Sequence, residues 1–287
     1  KVDELISANQ NKQFAYTVIS EEFYDELTDA IGTNNELMLK SMGKIIYLSA
    51  SIDNLIRQDN SQVIYKYGPM DGLYRILTHR NTKASTSRKY AVYSPTHHEL
   101  TEMYGLSMCQ MLSENKKVLL IDTMHCPIVR RLIRNEPRGG IIDVIYKLEN
   151  EKREEITDLI EEYDRVDVFP LSLNPTDMAS VTRDEWGKLI DYIDALDYET
   201  YVFIVDDINQ GFREIIEYVD NCVLINKKGD YYKNTQEHMK DFIRKAGTDT
   251  TPVELLMTAN NLNEGCYQLE ELLSGNLGRY VRAQKYG

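Results

Sequence analysis

The segment between Tyr90 and Asp122 constrains the fold more than any other part of the sequence. Two short apolar runs, Tyr90–Tyr93 and Val118–Ile121, flank Glu99–Ser113, whose apolar residues recur at helical spacing. Val118–Ile121 is apolar at every position, which is typical of a strand that is covered on both faces. A strand, a helix and a second strand in this order predict parallel strands joined by a helical crossover.

The same alternation extends in both directions along the chain. Further strands are predicted at Phe14–Ile19, Lys44–Leu48, Val63–Tyr65, Val166–Phe169, Tyr201–Val205 and Cys222–Ile225. Helices are predicted at Val2–Ala8, Glu22–Ile31, Asp71–Leu77, Ile141–Leu148, Arg153–Glu161, Arg183–Leu196, Phe212–Tyr218, Thr235–Lys245, Val253–Thr258 and Gln268–Tyr280. The chain is therefore predicted to be an α/β protein with a mostly parallel sheet.

A polar stretch divides this pattern into two parts. Residues 81–88 are small or polar and have no periodicity, which indicates a linker. We therefore predict one domain at residues 1–80 and a second at residues 88–287. A chain of 287 residues is long enough for two such domains.

Charge and cysteine usage exclude several classes of function. The net charge is −13 and the pI is about 4.9, which disfavours binding to nucleic acid or to an anionic membrane surface. The four cysteines form no Cys-x-x-Cys pair, so we expect buried thiols, with redox and metal roles as the alternatives. No run of 18 apolar residues and no signal-peptide pattern is present, so we expect a cytoplasmic protein or one with a trimmed N-terminus.

Three segments of the second domain resemble the start of the MinD/ParA family of ATPases. They are Tyr90–Pro95, Leu106–Leu112 and Lys117–Asp122, which correspond to that family's first strand, helix and second strand. Later parts of the family are similar to Gly139–Ile145, Asp167–Pro170 and Tyr201–Asp206. The resemblance implies a P-loop-type domain, with a mostly parallel sheet sandwiched by helices.

The first domain resembles the later half of a response-regulator receiver, which is a flavodoxin-like fold. Ser49 and Lys66 stand where receivers place a Ser or Thr after the fourth strand and a Lys after the fifth, although Tyr67 replaces the usual proline. A receiver-like domain before a MinD/ParA-like domain is the arrangement of the TadZ/CpaE proteins. These proteins help to localise and assemble the Tad (Flp) pilus secretion apparatus.

The loop after the first strand departs from the family pattern. Family members hold nucleotide phosphates with a glycine-rich backbone and two lysines, and a hydroxyl ligates Mg²⁺. In this chain the lysines are replaced by Thr96 and Thr101, and the hydroxyl by Glu102. Glycines are replaced by His97, His98 and Leu100. The remnant of the site therefore comprises Ser94, Pro95, Thr96, His97, His98, Glu99, Thr101, Glu102, Asp122 and Asp206.

These replacements predict that the site has no catalytic role. Glu99 and Glu102 would repel a triphosphate where lysines should attract it, at a cost of a few kcal/mol for a like-charge pair at ~4 Å. Asp122 and Asp206 are retained, but Met124 stands where the family has the aspartate that positions water. We therefore expect a pseudo-ATPase without a cofactor. The alternative is a nucleotide-dependent switch that binds ATP and Mg²⁺ and completes its site with a partner subunit.

The resemblance also implies partners and a location. A TadZ/CpaE-type protein would contact the protein components of a pilus or secretion assembly. Active relatives dimerise face to face across their nucleotides, so a homodimer is expected. The implied location is the bacterial cytoplasm, with polar or membrane association through partners and without direct insertion into the bilayer.

Two segments have alternative interpretations. His98 and Glu102 are four residues apart on a predicted helix, so they could bind a metal together with His97 and His125; the alternative is a polar loop before a helix whose acids complement the dipole. The C-terminal segment Leu269–Val281 could be an amphipathic membrane anchor. Its glutamates favour docking on the protein itself.

Overall fold

The chain divides into two units, the first formed by Lys1–Ala84 with Arg244–Gly247 and the second by Ser85–Ile243 with Thr248–Gly287. A computed structural model describes residues 16–23, 44–50, 62–67, 87–124, 129, 138–171, 174–258, 272, 274–284 and 286. The predicted helices Val2–Ala8 and Asp71–Leu77 lie outside the described residues, as does most of Glu22–Ile31.

Three parallel strands form the described part of the first unit. They are β1 (Tyr16–Ser20), β2 (Lys44–Ser49) and β3 (Gln62–Tyr65), in the order β1-β2-β3, which confirms the strands predicted in this region. Lys66 follows β3, and its ammonium donates to Ser20 Oγ (3.4 Å) and Glu22 Oε1 (3.0 Å). The receiver-like identity of this unit remains a prediction.

A seven-stranded sheet forms the second unit. Its order is β10-β9-β4-β8-β5-β7-β6, and every pair is parallel except β6 with β7. The strands are β4 (Arg88–Tyr93), β5 (Val118–Asp122), β6 (Glu161–Tyr163), β7 (Val166–Val168), β8 (Thr200–Val205), β9 (Asn221–Asn226) and β10 (Asp249–Glu254). The helices are α1 (Thr101–Leu112), α2 (Ile141–Glu149), α3 (Glu154–Thr157), α4 (Pro175–Ser180), α5 (Arg183–Asp194), α6 (Phe212–Tyr218), α7 (Asp230–Lys245) and α8 (Asn276–Ala283). The predicted mostly parallel sheet is confirmed.

Two predicted helices differ from the structure. The predicted helix at Val253–Thr258 is wrong, because Val253 and Glu254 belong to the strand β10 and residues 255–258 form neither helix nor strand. Strand β10 contains Pro252, pairs with β9 and forms an edge of the described sheet. β10 contains two threonines and a valine, and such β-branched residues favour a strand where a neighbouring strand offers pairing. The expected helix Arg153–Glu161 shortens to α3 and is followed by β6.

Side chains alternate between the two faces of the sheet, so both faces are buried. Tyr90 and Val92 of β4 belong to a core that also contains apolar residues of α1 and α8. Tyr93 points to the other face, where its ring centroid lies 4.9 Å from that of Phe212 in α6. The apolar strands predicted from the sequence are therefore central strands covered on both sides.

Helix α1, which follows the candidate loop, packs very close to β8. A Cβ added at Gly105 would lie 2.6 Å from Cγ1 of Ile204. This contact is shorter than side chains tolerate, so the glycine allows α1 to approach the sheet. The approach fixes the position of the helix whose first turn begins at the loop.

A second close approach lies under the other face. Trp186 of α5 is fully buried, and a Cβ added at Gly211 would lie 2.2 Å from Cδ2 of its indole. Gly211 precedes α6, so the glycine lets the start of α6 rest on the face of the ring. The bulkiest side chain in the sequence is thereby held between two helices.

The C-terminal helix α8 packs on its own domain. Leu277 and Val281 are buried in the same core as α1 residues. The docking interpretation is therefore confirmed for residues 276–283, whereas residues 269–271 and 273 lie outside the described part. Among the residues that the structure describes, no helix is long and apolar enough to cross a bilayer.

Candidate functional site

The loop from Ser94 to Leu100 lies at the carboxyl edge of the sheet, between β4 and α1. Because β4, β5, β8, β9 and β10 are parallel, their carboxyl ends meet at this edge. Strand β4 lies between β8 and β9, and the chain crosses from it past β8 to β5, whereas β9 and β10 lie on the opposite side. Open α/β sheets bind ligands at such a point, so this edge is the candidate site.

The backbone of the loop makes a tight turn without glycine. The N–H of His97 donates to the carbonyl of Ser94 (3.1 Å), and His97 itself has φ 48°. A left-handed conformation costs a non-glycine residue on the order of 1–2 kcal/mol. His97 is exposed to solvent, so the turn presents its imidazole on the surface of the edge.

His98, in contrast, is buried and bonded inside the protein. Its Nδ1 accepts from the N–H of Leu100 (3.2 Å), which places the proton on Nε2, and Nε2 lies 3.2 Å from the carbonyl oxygen of Leu255. Its own N–H donates to Ser94 Oγ (2.9 Å). Burial lowers the pKa of His98, and the nearby Glu99 carboxylate offsets this only in part. His98 is therefore a neutral side chain that fastens the loop to the end of β10.

The end of β9 contributes two residues that the sequence analysis did not single out. Asn226 Oδ1 accepts from Thr96 Oγ1 (3.4 Å), and Lys227 Nζ lies 3.8 Å from Glu99 Oε2. A polar residue directly after a buried parallel strand is the signal that could have found both of them. Because both side chains are more than one third exposed, this ion pair is weak, and it places a positive charge beside the acidic loop.

Two carboxyl groups stand together below the first turn of α1. Asp122 at the end of β5 is 2% exposed, and its Oδ1 accepts from the N–H of Met124 (3.2 Å). The backbone N–H of Val129 also interacts with this carboxyl. The carboxyl of Glu102 lies beside it, and burial together with this neighbour raises the pKa of Asp122 well above its ordinary value. Two adjacent carboxyls in a buried position favour a shared proton.

Asp206 follows β8 and is buried at the same edge. Its Oδ1 accepts from the N–H of Ile208 (3.0 Å), and its carbonyl accepts from Asn209 Nδ2 (2.9 Å). Asn209 also donates to the carbonyl of Thr123 (3.2 Å), so the turns after β8 and β5 are tied together. Asp206 therefore organises a turn, in addition to carrying negative charge.

The structure brings the predicted site residues together at one edge. Carboxylates dominate its charge, and they are Glu99, Glu102, Asp122, Asp206 and Asp207. Within the described part of the chain, no three His, Cys, Asp or Glu side chains converge in a way that could hold a metal. His125 of the metal alternative lies outside the described residues.

Solved structures share this architecture. A ParA family ATPase from Chlorobium tepidum TLS matches 66% of this chain and 91% of its own, with 11% identity and a TM-score of 0.51. A putative plasmid partition protein from Borrelia burgdorferi B31 bound to AMPPNP matches 66% of this chain and 82% of its own, with 15% identity and a TM-score of 0.50. At these identities the likeness shows the fold, so the predicted MinD/ParA fold is confirmed. The sequence itself matches no protein-family model and no curated protein.

Proposed function

We propose that this chain is a non-catalytic scaffold with the fold of a positioning ATPase, and that it acts through protein contacts in the assembly of a Tad pilus or a related secretion system. The internal bonding of His98 is the observation that carries the non-catalytic part of this proposal. Its imidazole accepts a hydrogen bond from the N–H of Leu100 and is hydrogen-bonded to the carbonyl of Leu255. A phosphate-binding loop needs N–H groups that point freely at the ligand.

Electrostatics support the same conclusion. Glu99 and Glu102 stand in the loop and at the start of α1, and Asp122 and Asp206 lie behind them. A like-charge pair at ~4 Å costs about 4 kcal/mol at an effective dielectric of 20, so Glu99 and the negative charge that Glu102 and Asp122 retain when they share a proton oppose a triphosphate. Among the described residues, Lys227 lies beside this loop, with its Nζ 3.8 Å from Glu99 Oε2.

The pilus or secretion role rests on the order of the two domains and on the resemblance to TadZ/CpaE proteins. It includes a cytoplasmic location, with polar or membrane association through partners. The second candidate is a nucleotide-dependent switch of the MinD/ParA class. One observation favours it: the Borrelia protein that shares this fold is bound to AMPPNP.

Calorimetric titration of the full chain with ATP and Mg²⁺ separates the two candidates. We expect no binding heat at ATP concentrations up to about 1 mM. A dissociation constant above about 1 mM corresponds to a binding free energy weaker than about −4 kcal/mol. Lys227→Glu serves as the matched variant, because it replaces the cation beside the loop with a carboxylate and should weaken any binding of a triphosphate at this edge. Binding in the micromolar range that Lys227→Glu abolishes would establish the switch and contradict the pseudo-ATPase.

A homodimer through the carboxyl edge is part of the proposal. His97 is exposed there, and two large apolar side chains flank the loop, Ile208 at 58% exposure and Leu256 at 63%. A contact between two copies of the chain through this edge would remove both apolar side chains from water. His98 is buried, so it cannot take part in such a contact as it stands.

Sedimentation velocity tests the dimer. We expect a dimer without nucleotide, and Ile208→Asp should weaken its association at least tenfold because a carboxylate would be buried in the interface. Ile142→Asp is the matched control, since Ile142 is 49% exposed on α2, which includes neither the loop nor the segments after β8 and β10. Equal sedimentation of the two variants, or a monomeric wild type, would rule out this face.

A further inference from the structure

The C-terminal helix α8 is bonded to the strand end that receives His98. The hydroxyl of Tyr280 donates to the carbonyl of Glu254 (3.1 Å), the last residue of β10. The next residue, Leu255, donates its N–H to the carbonyl of Asn226 (3.0 Å) and accepts at its own carbonyl from His98. Two consecutive carbonyls therefore bind α8 and the loop.

Helix α8 also contacts α1, the helix that begins at the loop. Arg282 pairs with Glu114 just beyond the C-terminal end of α1, with Nη1 at 3.3 Å from Oε2. The hydroxyl of Tyr286 is hydrogen-bonded to that of Tyr104, which is fully buried in α1. The loop therefore holds the N-terminal end of α1. The C-terminal segment holds α1 through Tyr104 and, beyond its C-terminal end, through Glu114.

These contacts link four elements in a ring. The loop leads into α1, α1 contacts the C-terminal segment, Tyr280 of α8 bonds to the end of β10, and Leu255 after β10 bonds to His98 of the loop. We propose that α8 is a strap that sets the conformation of the loop, so that a partner which draws α8 away also opens the loop. The inference is independent of whether the loop binds nucleotide.

Coupling of this kind is reciprocal, and this separates a strap from a helix that only adds stability. If releasing α8 loosens the loop, loosening the loop must release α8 to the same extent in free energy. A helix that contributes only to global stability would instead change the opening of the whole unit evenly.

Hydrogen exchange of the full chain measures both directions. Tyr280→Phe removes one hydroxyl bond, and we expect exchange of the loop amides 94–101 to rise about fivefold, the effect of one lost neutral hydrogen bond. His98→Gln should raise exchange in 276–284. Arg279→Gln is the control, because Arg279 donates within its own helix to Asn276. Amides of β8 report global opening.

Three outcomes decide the proposal. Faster exchange in the loop of Tyr280→Phe and in α8 of His98→Gln, with β8 unchanged, supports the strap. A loop unchanged in Tyr280→Phe overturns it, as does an even rise that includes β8. Should Tyr280→Phe fold poorly, Arg282→Gln breaks the exposed pair with Glu114 instead. An unchanged loop, or an even rise in exchange that includes β8, would again overturn the proposal.

Discussion

Replacing Gly211 with alanine is expected to lower the free energy of unfolding by about 3 kcal/mol. The added methyl would lie 2.2 Å from Cδ2 of Trp186 and 2.4 Å from its Cγ. The indole is rigid and fully buried, so it cannot turn aside without displacing α5 or the start of α6. The loss therefore comes from overpacking, since Gly211 has φ −85°, which alanine adopts without strain.

Gly187→Ala is the matched control for this prediction. Gly187 lies one residue after Trp186 within α5, and a Cβ there meets nothing within 4 Å. Alanine favours a helix by about 1 kcal/mol over glycine, so this variant should be slightly more stable than the wild type. Urea unfolding followed by circular dichroism measures both. In a Trp186→Leu background, Gly211→Ala should cost much less stability than it does in the wild type, because the indole is no longer there to be overpacked. A Gly211→Ala protein as stable as the wild type would contradict the packing.

Replacing His98 with alanine is expected to cost about 2–4 kcal/mol of stability. The N–H of Leu100 and the carbonyl of Leu255 would both lose their buried partner, and each unpaired group costs about 1–3 kcal/mol. A cavity adds to the loss. His97→Ala is the control, because His97 is exposed and its substitution should change stability by less than about 0.5 kcal/mol.

The same residue predicts a pH dependence. Burial lowers the pKa of His98 below its usual 6.5. Just below pH 6.5, His98 is therefore protonated in the unfolded chain while it stays neutral in the folded chain. Stability should therefore fall as the pH drops through 6.5 toward the lower native pKa. Asp122 acts in the opposite sense, because its native pKa is raised and protonation favours the fold.

Comparison with His98→Gln isolates the histidine. Asp122 is present in both proteins, so the difference in their unfolding free energies between pH 7.5 and 5.5 removes its contribution. The wild type should lose stability relative to His98→Gln over this range. Parallel stability curves for the two proteins would show that His98 is not held neutral in the folded state.

The sequence predicted the sheet better than it predicted the site. Central strands such as Val118–Ile121 are continuous apolar runs, so their pattern alone indicates burial on both faces. β10 reads DTTPVE, with Val253 as its one apolar residue, and its identity as a strand comes from pairing with β9. Such long-range pairing overrides local preference and leaves little trace in the pattern.

For the site, the strand ends were predictable and the partners were not. Asp122 and Asp206 each follow a predicted strand, and parallel strands bring their ends together. The burial of His98 could not be read from the sequence, because its acceptor Leu255 is 157 residues away. Asn226 directly follows the predicted strand Cys222–Ile225, so the rule for strand ends could have found it, whereas its contact with Thr96 in the loop, 130 residues away, could not be predicted.

The position of Pro252 limits how molecules of this protein can join. The N–H groups of Asp249 and Leu255 point toward β9, so those of the even-numbered residues between them point away from the sheet. Pro252 takes one of these outward places and has no N–H to offer. An extended chain that approached this side would find its hydrogen-bond ladder broken in the middle. At this edge of the described sheet, the proline thus disfavours strand addition and the aggregation that follows from it.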